Sequence, residues 1–288
     1  MELLWLEDFS ALAESGNFSR AAELRHVSQP AFSRRIRAFE DWIGADLFER
    51  TAQGATLTEV GKSVLGNARE LTRRLHQMRA DAKEVAGKAM RTLHFAATHS
   101  LSFTFFPAWI RQVEQGAPIE GVSLHSDNMM QCEQQLLDGA VQFLLCHQHP
   151  GVPPRFSADQ FESKVIGQDV LVALQSADLA GSSPAPFLSY TAESGLGRIV
   201  AAHLQNHPDY PKLDTVFSSH LAAVLLSMAQ QAKGIAWLPM TLASHDLESG
   251  RLVRASLALE DIPSEIRIFR SKVPLGDFAE RFWAGLGD

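Results

Sequence analysis

Residues 17–50, NFSRAAELRHVSQPAFSRRIRAFEDWIGADLFER, constrain the fold more than any other part of the chain. A short helix carrying Ala21 and Ala22 leads through Arg25, His26 and Val27 to Ser28, whose hydroxyl is placed to cap a second helix. Gln29 and Pro30 suit the first turn of that helix. Its apolar positions Ala31, Phe32, Ile36, Phe39 and Ile43 recur at helical spacing and leave Gln29, Ser33, Arg34 and Arg37 on other faces. One such helix alone is most often an ordinary surface helix. Two joined by a tight turn, with arginine and glutamine outward on the second, fit a DNA major groove. Arginine bonds guanine in bidentate fashion, glutamine does the same with adenine, and serine or arginine holds phosphate.

The match extends beyond the two helices. Phe18 with Ala21 and Ala22, Val27 to Ala31 with Ser33, Leu47 and Phe48 with Arg50, and Leu57 and Thr58 with Gly61 stand in one order and spacing. This pattern resembles the winged helix-turn-helix of LysR-type transcriptional regulators. The resemblance implies DNA contacts from Ser28, Gln29, Pro30, Ser33, Arg34 and Arg37, with Arg50 in the wing. It implies a double-stranded DNA operator as partner.

Charge agrees once it is counted locally. The 288-residue chain carries a formal net charge of -7, yet residues 17–37 hold Arg20, Arg25, Arg34, Arg35 and Arg37 against the single acid Glu23. A small basic face on an acidic remainder limits nonspecific binding. No apolar run approaches a membrane span, and the acidic start MELLWLEDF is not that of a signal peptide, so a cytoplasmic chain with no membrane partner is expected. Cys132 and Cys146 make no disulfide framework in a chain of this length. Nucleophile elbow, phosphate loop, HExxH and paired-carboxylate motifs are all missing, which disfavours an enzyme, and no cofactor or metal is expected.

From Thr58 to about Gly87 the spacing predicts one long helix with Val64, Ala68, Leu71, Leu75, Met78, Ala82 and Val85 at alternating steps of four and three. Such a seam asks for a like helix as partner. By resemblance it is the linker through which LysR-type proteins dimerise, with a tetramer formed through the effector domains. After Arg91 strands alternate with helices, an α/β signature. The expected architecture is α/β: a winged helix-turn-helix over 1–60, a linker helix over 61–90, and a two-lobed, periplasmic-binding-protein-like effector domain over 91–288. Lobe I takes 91–166 and 267–288, lobe II takes 167–266, and 180–186 is the most linker-like stretch.

In open α/β sheets a ligand sits beyond the carboxyl ends of the strands, near helix starts. Thr98, His99, Ser100, Asn128, His147, Arg198, Ser219 and His220 fall at such places and are the candidate effector contacts. They suit a small organic or inorganic anion, with Arg198 opposing its charge. Within the family the effector half resembles the hypochlorite-responsive subgroup, through AATHSLSFTFFP at 96–107, GIAWLP at 234–239 and AERFW at 279–283. The methionines tied to oxidant sensing there align with Val113, Leu196 and His220, so that chemistry does not carry over. Two rival readings are a redox sensor using Cys132 and Cys146 or other methionines, and a metal site on His147 and His149. The first needs accessible thiols, and the second lacks further ligands at recognisable spacing.

Overall fold

The computed structural model describes all residues except 1, 52–53, 86–91, 117–118, 180–185, 208–212, 256–259 and 288. The chain forms two compact units, one of Met1–Lys88 with Leu137–Ala140, the other of Ala89–Leu136 with Val141–Asp288.

In the first unit, α1 (Leu3–Ser15) places Leu6, Phe9 and Leu12 at helical spacing into the core and stops at Gly16, whose φ of 60° is the left-handed value that suits glycine. The acidic amino-terminal stretch is thus a core helix. The Asn17 side chain accepts from the N–H groups of Ser19 and Arg20 and starts α2 (Phe18–Leu24). The next helix, α3 (Gln29–Ile43), buries Phe32, Ile36 and Phe39. Ser28 does hold the cap position, but its hydroxyl makes no capping bond; its carbonyl, bonded by Phe32 N–H at 2.9 Å, is what enters the helix. A hairpin of β1 (Phe48–Thr51) and β2 (Gly54–Leu57) makes the wing. Gly54 is required there: its φ is 139°, and a Cβ would lie 2.2 Å from the Gly16 carbonyl oxygen. The long helix α4 (Glu59–Val85) follows, its start capped by Thr58 Oγ1, which accepts from Gly61 N–H. Its expected last residues, 86 and 87, lie outside the described residues, as do Lys88, Arg91 and most of the 180–186 stretch.

The second unit opens with β3 (Thr92–Thr98), α5 (His99–Thr104), α6 (Phe106–Gly116), β4 (Gly121–Asp127), α7 (Met129–Leu137) and β5 (Phe143–Gln148). α5 and α6 are separated at Phe105, because Pro107 has no N–H for the Phe103 carbonyl. The pairing of β5 with β3 begins at Phe143, opposite Phe95. The chain continues through β6 (Phe161–Ser176), β7 (Pro186–Tyr190), α8 (Gly195–Asn206), β8 (Asp214–Ser219), α9 (Ala222–Gln230), β9 (Ala236–Pro239), α10 (Met240–Glu248), β10 (Leu252–Arg254), β11 (Ile262–Ser271) and α11 (Asp277–Gly285). The sequence pattern did not show α10, β10 or the full length of β6.

Among the described residues one seven-stranded sheet runs β10-β6-β11-β5-β3-β4 with β9 beside β6, and β7 and β8 form a separate parallel pair. One apolar core gathers Phe95, Phe106, Trp109, Phe143, Phe282 and Trp283; on the other side Leu171, Phe187, Ile199, Ile235 and Trp237 pack with the neighbouring cluster of Val172, Leu188, Leu225 and Leu238. These cores define two lobes. The antiparallel strands β6 and β11 pass from one to the other, with a register irregularity where Ile266 faces Gly167 and Arg267 faces Val165.

Candidate functional site

The outer face of α3 is the first candidate site. Ser28, Gln29, Pro30, Arg34 and Arg37 are exposed and Ser33 is half-buried, with Gln29 Nε2 donating to Ser33 Oγ at 3.2 Å. Arg50 lies in β1 opposite Ala55. The arginine cluster divides by partner. Asp8, fully buried on α1, accepts from Arg25 at 2.8 Å and from Arg35 at 3.2 Å, and Arg25 also pairs with Glu7. Those two arginines tie α2 and α3 to α1, while Arg34 and Arg37 remain at the surface. An ionised carboxylate out of water is costly unless donors surround it, so Asp8 orients the helix pair as well as binding it.

The second candidate is a cleft between the lobes of the second unit, enclosing about 370 Å³ including its open mouth. Its closed depth has room for little more than a water-sized group. Thr98, His99, Ser100, Asn128, His147 and His220 line it, and so do Asp127, Met129, Ser194, Gly195, Leu196 and Ala222. The spacing of Ser194 and Gly197 was a legible sign, since Ser194 Oγ accepts from Gly197 N–H and starts α8. Ser219 and Arg198 are not in the wall. Ser219 Oγ accepts from Leu221 N–H at 3.1 Å, a turn role that keeps it at the entry to α9. Arg198 was expected to oppose an anion, but both its terminal nitrogens donate to the buried Glu133 carboxylate, each at 2.9 Å. Its charge is already matched.

The starts of α7, α8 and α9 all reach the wall, through Met129, Gly195 and Ala222. Helix starts carry partial positive charge and unpaired N–H groups, so their convergence favours an anion. Two imidazoles face each other there, His99 and His220, with ring centroids 5.7 Å apart. Burial lowers the pKa of His99, with Asp127 opposing the shift and His220 adding to it. His99 Nδ1 lies 3.0 Å from Ser126 Oγ, which in turn meets Ser102 Oγ at 2.8 Å.

At the back of the cleft His147 Nε2 lies 2.8 Å from Asp169 Oδ2, with both side chains almost wholly buried. Thr241 Oγ1 donates to the same oxygen at 2.6 Å, while the N–H groups of Val170 and Thr241 donate to Oδ1. Burial alone would raise Asp169, but these donors outweigh it and hold the carboxyl below its ordinary pKa.

Neither the cysteine switch nor the metal site finds geometry among the described residues. Cys132 and Cys146 are buried; burial pushes the Cys132 thiol up to about 12 and raises Cys146 as well, so neither is readily a thiolate. His149 Nδ1 accepts from Gly151 N–H while His147 is turned to Asp169, and among the described residues no metal-holding group of three or more ligands assembles. No described helix is long and apolar enough to cross a membrane.

A winged helix-turn-helix with a basic outer face, joined to an α/β unit built around an internal cleft, defines a DNA-binding transcriptional regulator. The chain belongs to the LysR family: the model for bacterial regulatory helix-turn-helix proteins of the lysR family matches residues 3–62, and that for the LysR substrate binding domain matches 86–287. It is 32% identical to the HTH-type transcriptional regulator YjiE of Escherichia coli (strain K12), over 99% of this chain and 94% of that protein. Two solved structures are similar over almost their full length. One is DarR from Vibrio fischeri in complex with DNA, at 29% identity and a TM-score of 0.56, covering 99% of this chain and 97% of that one. The other is full-length HypT from Salmonella, described as a hypochlorite-specific regulator, at 29% identity and a TM-score of 0.57 with the same coverage.

Proposed function

We propose that this regulator is controlled by a small anionic or oxidant-derived signal bound in the inter-lobe cleft. The observation that carries the reading is the convergence of three helix starts on a cleft whose depth suits a small group. The description of HypT as hypochlorite-specific, together with the motifs at 96–107, 234–239 and 279–283, supports membership of an oxidant-responsive subgroup. Thr98, His99, Ser100, Asn128, His147 and His220 are the ligand-facing residues in this reading. On DNA, Gln29, Ser33, Arg34 and Arg37 read or position on the major groove, Ser28 and Pro30 fix the start of α3, and Arg50 anchors the wing. The division at about residues 60 and 90 makes α4 the dimer element. Leu71 and Met78 support this, being apolar residues of the seam that are 45% and 62% exposed. A tetramer through the effector units completes the assembly.

A second reading has one observation in its favour: Met129 lies in the cleft wall, where an entering oxidant meets its thioether. Replacing Ser100 with Val tests the first reading. Operator binding should persist while the promoter response to sublethal hypochlorite is lost. An unchanged response reduces Ser100 to a packing residue and removes the cleft as sensor.

A further inference from the structure

The back wall of the cleft imposes a demand on the ligand beyond negative charge. Asp169 receives four donors, so it is held as a carboxylate, and accepting from His147 Nε2 fixes the proton of that ring on Nε2. The other nitrogen, Nδ1, is buried and has no hydrogen-bond partner, and His147 lines the cleft. In a neutral ring Nδ1 is a bare acceptor. A buried acceptor left unpaired costs free energy, and a lone pair facing an anion repels it. Asp127, also in the wall, adds negative charge. Three helix starts nonetheless draw an anion to the same place. The two demands are reconciled when the anion arrives with a proton.

Resting on the anion reading above, we propose that the cleft binds its anion together with one proton placed between the ligand and His147 Nδ1, so that the occupant is in sum the conjugate acid of a small anion. The balance is simple: anion, solvent proton and His147 give an anion hydrogen-bonded to Nδ1–H, the ring remaining bonded through Nε2–H to Asp169. No bond other than that to the proton forms or breaks. The titratable groups around His147 are Asp169 on β6, His99 on α5, Asp127 at the end of β4, His220 ahead of α9, and Tyr190 on β7, whose hydroxyl is given to the Trp237 carbonyl. Glu133 on α7 and Arg198 on α8 neutralise each other. Among the described residues no arginine lines the cleft to supply the counter-charge, and an imidazole must.

The test is calorimetric titration of the full chain with sodium formate and with sodium chloride, in Pipes and in Bis-Tris brought to pH without chloride, two bulky buffers whose ionisation enthalpies differ. Uptake of about one proton per anion is expected, with affinity falling by up to about tenfold per pH unit as pH rises. In His147→Gln both the uptake and the pH slope should vanish, while His245→Asn, at an exposed position outside the cleft wall, keeps them. Nitrogen NMR of the wild-type histidines provides a readout independent of whether the variants fold: adding formate should move one buried Nδ1 from the unprotonated to the protonated range. Binding without proton uptake overturns this inference and leaves the anion reading standing. Uptake that persists in His147→Gln, or an unmoved Nδ1, overturns the assignment to His147. Failure of both anions to bind overturns the anion reading, and this inference with it.

Discussion

Replacing Glu133 with Gln removes one half of a buried ion pair that joins α7 of one lobe to α8 of the other. The Glu133 side chain is 2% exposed and that of Arg198 17%, and the two meet through paired bonds of 2.9 Å. Breaking such a pair from one side costs about 3–5 kcal/mol, because the remaining ion has lost both water and partner. Glutamine keeps one acceptor oxygen, which recovers about 1 kcal/mol, and the partial exposure of Arg198 places the loss toward the low end, about 2–3 kcal/mol. For a unit of this size that is a fall in Tm of about 4–12 °C. Arg198→Leu should cost at least as much, since it strands a carboxylate that retains only the Arg155 N–H at 3.3 Å and its guanidinium nitrogen at 3.9 Å. The double variant Glu133→Leu with Arg198→Leu buries no charge and should recover most of the loss. Scanning calorimetry of the full chain, following the transition of the effector unit, gives all the values. Single variants costing under about 1 kcal/mol, with no coupling between them, would refute the claim that the pair is desolvated.

Arg34→Ala should weaken operator binding by about 1–3 kcal/mol with relaxed preference at one base position, measured by fluorescence anisotropy on operator variants; loss uniform across variants would make it a phosphate contact. Leu75→Glu should turn the dimer to monomer in sedimentation equilibrium, because an unpaired charge in an apolar seam is costly, and unchanged assembly would move the dimer interface elsewhere. Asp169 has a depressed pKa, so its contribution to stability is complete above the ordinary carboxylate pKa of about 4 and is lost as pH falls through its lower folded value. Urea titrations at descending pH should therefore show a steeper acid loss for wild type than for Asp169→Asn; equal slopes would show that Asp169 is not held ionised.

The features legible in the sequence are those whose cause is local. The outer face of α3 follows from five apolar residues at one spacing. The break at Phe105 is equally local, since Pro107 announces it. Arg198 is a different case. Its position near a helix start was read correctly, but its partner lies 65 residues away on another lobe. His147 and Asp169 are separated by a whole strand of the sheet, and nothing in the spacing of either reveals the other. Ser28 shows that a residue can hold a cap position without using its side chain.

The irregularity in β6 sets a phase. On β11 the residues Ser264, Ile266 and Ile268 share one face, and their partners on β6 are Asp169, Gly167 and Lys164. The alternation in β6 therefore changes from even to odd numbers across Ile166, the one residue with no opposite number. His147 pairs with Ile266 from the other side, so it shares a face with Gly167 and Asp169 and meets Asp169 over β11. Deleting Ile166 would therefore close the irregularity and leave a regular ladder, with Val165 opposite Arg267, Gly167 opposite Ile266 and Asp169 still opposite Ser264. The extra residue lengthens β6 between the lobes without changing which side of the strand belongs to the ligand and which to the core.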